Sequence, residues 1–544
     1  MNVFTKVFFI TTAFLLLSSN GVSAADDYFF YIRFTDKNNS PFSLEHPEAF
    51  LSSRAIARRM RLNIPYEVSD LPVNPHYLAA IEDKGLQIHS TTKWLNGATV
   101  TTSDSMLIAS LEELPFVDGV QYTGKIEHRP SGQQKKMPVM LQNVADDGDS
   151  PEKQLSQLKG NVLHQDNYHG NNIHIGVLDA GFYHMDANPA FVHLYESGRV
   201  AGVKNVVLPG ENVYEADTHG ANVMSIMAGD LDDSYQGSAT AATYWLIQTE
   251  YSDVELLMEV DCWVAGIEYA DSAGVDLINS SLGYTTFDNA SANFTYNDMD
   301  GKTSRASIAA GIAAKKGILV VNSVGNDGNK SWKYVGVPAD ADGILTVGSV
   351  DAVGAVSDFS SFGPTSDGRV KPEICARGMR TFYVNFSGNV STGSGTSYST
   401  PIVTGLCACL LEACIDKGIE LSVRGIIDLI VESASLYGNP DSRLGYGIPD
   451  FEQVYRRFVG TDIPPLRRDE QTRVWTETDK IYLKRTDDLP IKNIRIYSAM
   501  GALVLQNDLN ELYAVLNTGR LGAGIYTLLL STDYHKEIHK IVLP

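Results

Sequence analysis

Cysteine is scarce in this chain: five in 544 residues, all between Cys262 and Cys414. An odd count leaves at least one thiol free, a disulfide scaffold is excluded, and no pair has the spacing of zinc ligands. Cys407, Cys409 and Cys414 fall on one apolar stretch, where cysteine acts as a small buried hydrophobe. Positive charge is also short. Lys and Arg number 43 against 65 Asp and Glu, a formal net charge of −22, and no basic block stands out. A nucleic-acid partner needs a positive footprint and is excluded on that ground. Long apolar runs are missing beyond the N-terminus, so no later segment is expected to span a bilayer.

Length is not lacking. The 544 residues exceed the roughly 100–200 of one domain, so several domains are expected. Hydrophobic residues at 44% supply material for a large core. Lys6 precedes an apolar run from Val7 to Leu17, and small residues follow at Val22-Ser23-Ala24. This is the order of an export signal, assigned to 1–24; its apolar stretch is shorter than the ~20 residues of a membrane helix.

Residues 25–125 read as a small α+β unit. Strands are expected at Tyr28–Phe34, Leu86–Thr91, Ala98–Thr101 and Val117–Tyr122, with helices at Glu48–Met60 and Asp104–Leu114. That order predicts a ferredoxin-like arrangement. From 126 to 155 the sequence turns polar and loses periodicity, as in an exposed linker. From 156 to 460, apolar strands alternate with helical patterns. The strands are Ile173–Leu178, Tyr244–Gln248, Val275–Asn279, Ile318–Val321 and Ile344–Val347; the helices cover 219–229, 255–273 and 304–316, with a long one from Ser397. Strands apolar on both sides predict an α/β fold, a doubly wound, mostly parallel sheet with helices on both faces. After Ile463-Pro464-Pro465 the pattern switches, and from about 480 to the end there are only short strands, which predicts a β-sandwich within 461–544.

In such a sheet functional groups gather beyond the carboxyl ends of the strands, and three segments stand at such positions. In Val177-Leu178-Asp179-Ala180-Gly181 an apolar strand ends in a carboxylate able to orient an imidazole; read alone, Asp179 is equally a helix cap. His219-Gly220 opens an amphipathic helix, which by itself marks nothing. In Ser394-Gly395-Thr396-Ser397 a serine sits at the first turn of a long helix, beside unpaired N–H groups; the plain alternative is an N-cap.

Taken together they say more. The order Asp, His, Ser is one of three triad orders, and Gly395-Thr396-Ser397 followed by Pro401 matches the pattern Gly-Thr-Ser-x-x-x-Pro. Here the chain resembles the subtilisin-like serine proteases, over about 156–458. The resemblance implies Asp179, His219 and Ser397 as the triad. It implies Asn326, in Val324-Gly325-Asn326-Asp327, as the oxyanion donor beside the Ser397 N–H. It implies Ser281, Leu282 and Gly283 as the extended segment that binds the substrate backbone and walls the primary pocket, with peptides held as an added strand. Departures from the family pattern are Ala221, Asn222, Tyr398 and Arg377. None of them transfers a proton, and they leave substrate preference open.

By position and strand order, 25–125 resembles the inhibitory propeptide of secreted subtilases. Slow folding of a non-local parallel sheet gives such a template a physical rationale. Ile496 to Gly501, Leu521 to Tyr526 and the apolar end resemble a type IX secretion sorting domain. That implies passage through periplasm and outer membrane to a secreted or surface-attached state, with the export machinery as a partner. The chemistry requires no cofactor, and no metal is assigned to the site. Structural calcium is a family trait, and Asp298-Met299-Asp300-Gly301 offers closely spaced oxygens, equally a solvated acidic loop. The resulting expectation is a secreted serine endopeptidase acting on protein or peptide substrates, with its own propeptide as inhibitor. Its alternative is a catalytically silent subtilase fold that binds peptides at the cell surface.

Overall fold

The aromatic stretch after Asp26 alternates in a way that gives one strand two different faces. In β1 (Asp27–Phe34), Ile32 and Phe34 enter a core private to the N-terminal unit, whereas Phe29 packs into a cluster of the neighbouring α/β unit. The structure is a computed structural model describing residues 26–127, 149–459 except 233, and 472–543 except 478, 486–489, 499–501, 520 and 533–535. The export signal read at 1–24, residues 128–148 of the linker, the Ile463-Pro464-Pro465 segment and the Ala499-Met500-Gly501 turn lie outside the described residues.

In the N-terminal unit β1 is followed by α1 (Ser53–Arg61), α2 (Pro75–Glu82), β2 (Gln87–Thr92), β3 (Gly97–Thr102) and β4 (Val117–Ile126). The sheet order is β2-β3-β1-β4, all antiparallel. Helix α2 is absent from the sequence reading: its eight residues carry one buried position, Ile81, too little to print a periodicity. Its start is nonetheless capped by Asn74, with Pro75 behind it. The helix expected at Asp104–Leu114 is a 3₁₀ helix over Ser105–Glu113.

Residues 149–155, read above as the end of a linker, pack with the α/β unit. α3 (Pro151–Ser156) buries Gln154 and Leu155. There follow β5 (His174–Asp179), β6 (Val200–Asn205), α4 (His219–Ala228), β7 (Thr243–Gln248), α5 (Leu257–Ala273) and β8 (Leu277–Ser280). Next come α6 (Arg305–Lys315), β9 (Leu319–Ser323), β10 (Leu345–Val350), β11 (Ile374–Arg377) and α7 (Thr396–Asp416). Seven parallel strands run in the order β11-β10-β9-β8-β5-β7-β6. Because side chains alternate along a strand, one face carries Ile175, Val177, Leu277, Leu319 and Val321 into a core shared with α7. The other carries Leu178, Ile278 and Val320 against α5 and α6. The chain moves outward from β5 to β6 and β7, then returns to place β8 on the opposite side. That reversal between β5 and β8 is the switch point at which α/β sheets bind ligands.

α7 corrects one expectation. It is long and apolar enough, by length and composition, to cross a membrane, yet 78% of its most apolar window is buried inside the protein. Its polarity is hidden: Thr400 and Thr404 donate to the carbonyls of Thr396 and Thr400, four residues back. α4, expected to be amphipathic, is buried on all sides, with eight of its ten residues inaccessible.

The N-terminal unit docks on α5 through buried charge. Asp271 takes Arg58 at 2.5 Å, Arg59 at 3.0 Å and Lys93 at 3.0 Å, while Asp70 takes Arg59 at 3.1 Å and Lys316 at 2.9 Å. Glu268 accepts from the Thr92 hydroxyl and from the N–H groups of Lys93 and Trp94. Burial opposes the charge on Asp271, but Lys93, Arg58 and Arg59 outweigh it and hold its carboxyl far below the usual range. Burial instead pushes Glu268 up to about 7.

At the C-terminal end, β12 (Thr472–Glu477), β13 (Lys480–Arg485), β14 (Ile491–Ser498), β15 (Leu503–Glu511), β16 (Tyr513–Asn517), β17 (Gly524–Ser531) and β18 (Lys536–Leu543) make two antiparallel sheets. Their orders are β12-β13-β16 and β15-β14-β17-β18, and between them lies a separate apolar core containing Ile481, Ile494 and Leu528.

Candidate active site

Asp179 is the last residue of β5 and is wholly buried. Its Oδ1 accepts from the Ala180 N–H at 2.8 Å and faces His219 Nδ1 at 2.7 Å. His219 opens α4, where its N–H donates to Asp217 Oδ1 at 2.7 Å, which fixes the base of the imidazole. The glycine after it is required by space. A Cβ on Gly220 would lie 2.3 Å from the Gly181 carbonyl oxygen and 3.0 Å from Asp179 Cβ. Burial disfavours the imidazolium, but Asp179, through charge and hydrogen bond, together with Asp217, outweighs it and raises His219 to about 9.

Ser397 lies in the first turn of α7, 7% exposed. Pro401, four residues on, has no N–H to give the Ser397 carbonyl, and the Ser281 hydroxyl supplies the bond instead at 3.1 Å. In return Ser397 Oγ donates to the Ser281 carbonyl at 3.3 Å. The serine is thereby pinned to the end of β8, and its hydroxyl is directed at Ser281 rather than at His219. Beyond β8, the N–H groups of Leu282 and Gly283 make no hydrogen bond among the described residues, before Tyr284 pairs with Val337. An open backbone edge of this kind accepts an extended peptide.

Asn326 follows β9. Its Oδ1 accepts from the Thr396 N–H at 2.8 Å and the Thr396 hydroxyl at 3.1 Å, which turns its NH₂ group toward the cleft. His219, Ser281, Gly283 and Asn326 line one cleft of about 400 Å³, shared with Asp217 and Glu250. The residues singled out from the sequence thus meet at the carboxyl ends of β5, β8 and β9 and the starts of α4 and α7. Those three loops surround the reversal in strand order. Asp217 and Thr396 were not singled out. The signal for Asp217 was its place two residues before His219, and for Thr396 its place in the Gly-Thr-Ser pattern.

These loops recur in known proteins. The Subtilase family matches residues 170–447, just over half of the 544. The chain belongs to the subtilase family. The Peptidase S8 propeptide domain of Bacteroidota matches residues 29–138, and the Secretion system C-terminal sorting domain matches 477–544. This subtilase is therefore a serine protease with a propeptide and a type IX sorting domain, exported across the outer membrane to a secreted or surface-attached state. It is 26% identical over 336 residues to subtilisin NAT of Bacillus subtilis subsp. natto, covering 61% of this chain and 74% of that one. It is 28% identical over 262 residues to a subtilisin of Bacillus pumilus, covering 47% and 83%. Among solved structures, the prenylagaramide maturation protease PagA superposes with a TM-score of 0.44 at 25% identity, covering 56% of this chain and 99% of that one. The self-cleaved protease domain of PatA gives 0.42 at 26%, covering 54% and 98%.

Arg377, one of the departures from the subtilase pattern, pairs through both guanidinium nitrogens with the Asp149 carboxylate and is 1% exposed. In the loop considered for calcium, Asp298 Oδ2 accepts from Thr295 and Asp300 Oδ1 from the N–H groups of Lys302 and Thr303. Both carboxylates are used in their own turns. Among the described residues no group of three or more His, Cys, Asp or Glu is arranged to hold a metal. All five cysteines are free and buried.

Proposed function

We propose that this subtilase is an endopeptidase in which Ser397, His219 and Asp179 act as a catalytic triad on extended polypeptides. The observation that carries the reading is the 2.7 Å contact of His219 Nδ1 with buried Asp179, in the cleft that Asn326 also lines. With Nδ1–H donating to Asp179, Nε2 is the acceptor that faces substrate. A turn of the Ser397 hydroxyl away from the Ser281 carbonyl brings its proton to Nε2, a link that tightens only when substrate is bound. Ser397 Oγ then attacks the scissile carbonyl carbon and His219 takes the proton. The carbonyl oxygen becomes an oxyanion held by the Asn326 NH₂ and the Ser397 N–H. Collapse expels the amine, which receives its proton from His219 and leaves an acyl-Ser397. Water, deprotonated by His219, attacks that ester, and His219 returns the proton to Ser397 Oγ as the acid leaves. Asp179 stays ionised throughout and orients the imidazole. These steps require no cofactor. The substrate backbone pairs with Leu282 and Gly283, and the N-terminal unit acts as an intramolecular inhibitor until it is cut away.

Replacing Ser397 by Ala is expected to leave a folded protein with casein cleavage lowered by about 10⁶, the scale this loss has in subtilisin. Cleavage by the variant at the parent rate would overturn the assignment.

A further inference from the structure

The wall of the cleft carries more negative charge than the reaction uses. Asp217, Glu250, Glu255 and Asp327 all line it, and the one lysine or arginine lining it, Lys330, is held by Asp327 at 2.9 Å. The other three line the cleft without a lysine or arginine partner among the described residues. They are not scattered. Asp217 is two residues before His219 and anchored by its N–H, so it stands beside the scissile bond. Glu250 follows the carboxyl end of β7; it is 7% exposed, and its Oε1 accepts from the hydroxyls of Thr249 and Tyr284. Those two bonds hold one oxygen and aim the carboxylate at the cleft. Glu255 lies on the same loop, between β7 and α5, and lines the cleft together with Ser281, Leu282 and Gly283.

A peptide lying between that loop and the open Leu282–Gly283 edge turns successive side chains alternately to either wall. One of them meets Asp217 near His219, and a second, farther along, meets Glu250 and Glu255. We propose that these three carboxylates make the enzyme select peptides carrying arginine or lysine near the scissile bond. The proposal rests on the site reading given above and adds its substrate class. Desolvation and the neighbouring Asp288 carboxylate raise Glu255 to about 7, and burial pushes Glu250 up as well. Both are the behaviour of carboxyls that lack a compensating positive charge. An incoming guanidinium supplies that charge with directed hydrogen bonds. Asp327, the fourth of these carboxylates, is already paired with Lys330.

The test is cleavage of a peptide library randomised around the scissile bond by the mature secreted enzyme, followed by kcat/KM on matched peptides differing only in Arg or Leu. The parent enzyme is expected to favour the Arg peptide by about tenfold or more, the scale of one charge-assisted hydrogen bond in a desolvated site. In Glu255→Gln and in Asp217→Asn that ratio is expected to fall several-fold, each at a different position of the peptide. In Glu255→Arg the preference at its position is expected to invert toward Glu. Cleavage of Arg and Leu peptides at equal rates by the parent enzyme overturns the proposal, as does a ratio unmoved by all three variants. Failure to cleave any peptide instead overturns the reading of the site beneath it.

Discussion

At the scale of single residues, His219 decides when the site can work. A base must be neutral, and Asp179 and Asp217 hold this imidazole charged up to about 9. The kcat/KM profile is therefore expected to rise with pH along an acid limb lying above the ordinary 6.5 and reaching toward 9. The same raised value gives the opposite sign for stability. The charged pair stabilises the fold fully below about 6.5, and that contribution is lost as pH rises through about 9. Asp179→Asn is expected to lower kcat by about 10⁴ and to move the acid limb down; a limb that stays in place would show that Asp179 does not set it. Gly220→Ala forces a Cβ onto the Gly181 carbonyl and pushes His219 from Asp179, for an expected loss of about 10² in kcat with the fold retained by circular dichroism. Asp179, His219, Asn326 and Ser397 were singled out through the resemblance, carried by the order Asp, His, Ser and by Gly395-Thr396-Ser397 with Pro401. Glu250, Glu255 and Asp217 were not, because nothing in the sequence says that the loop after one strand faces the loop after another.

At the scale of elements, the long strands of the parallel sheet were legible because both of their faces are apolar. The short or half-exposed ones, β6 and β11, were not, and neither was α2. The membrane-length apolarity of α7 was hidden by threonines whose hydroxyls bond back into the helix. The element with the largest consequence is α5, whose Asp271 gathers Arg58, Arg59 and Lys93. Removing one partner of a buried network leaves the others uncompensated, at about 3–5 kcal/mol. Asp271→Asn, made in a Ser397→Ala background so that the chain stays whole, is expected to raise amide exchange over 53–61 by two orders of magnitude or more. Unchanged protection there would remove Asp271 from the docking. Glu268 adds a pH dependence. Its value is raised when docked, so the docked state binds a proton that the free surface releases, and docking weakens as pH rises from about 4.5 through about 7. The same exchange measurement across that window is expected to show faster opening at the higher pH.

At the scale of the whole molecule, three units follow one another along the chain with different degrees of independence. The C-terminal sheets enclose their own apolar cluster and, among the described residues, contribute none to the lining of the cleft. A chain ending at 459 is expected to keep its kcat/KM on a peptide substrate while no longer appearing outside the cell; loss of turnover would place part of the active unit beyond that point. Changes in periodicity carried the expected division into units. They placed residues 149–155 in a linker, because these residues are polar in sequence but held through a few specific contacts.

One of those contacts sets a limit on maturation. Asp149 neutralises a guanidinium that water cannot reach, so every polypeptide that functions after processing has to carry Asp149 with it. Sequencing the amino terminus of the released enzyme should accordingly find it at or upstream of residue 149. A terminus farther along would leave Arg377 an orphan ion in the interior, and the enzyme bearing it should melt well below one that retains the pair.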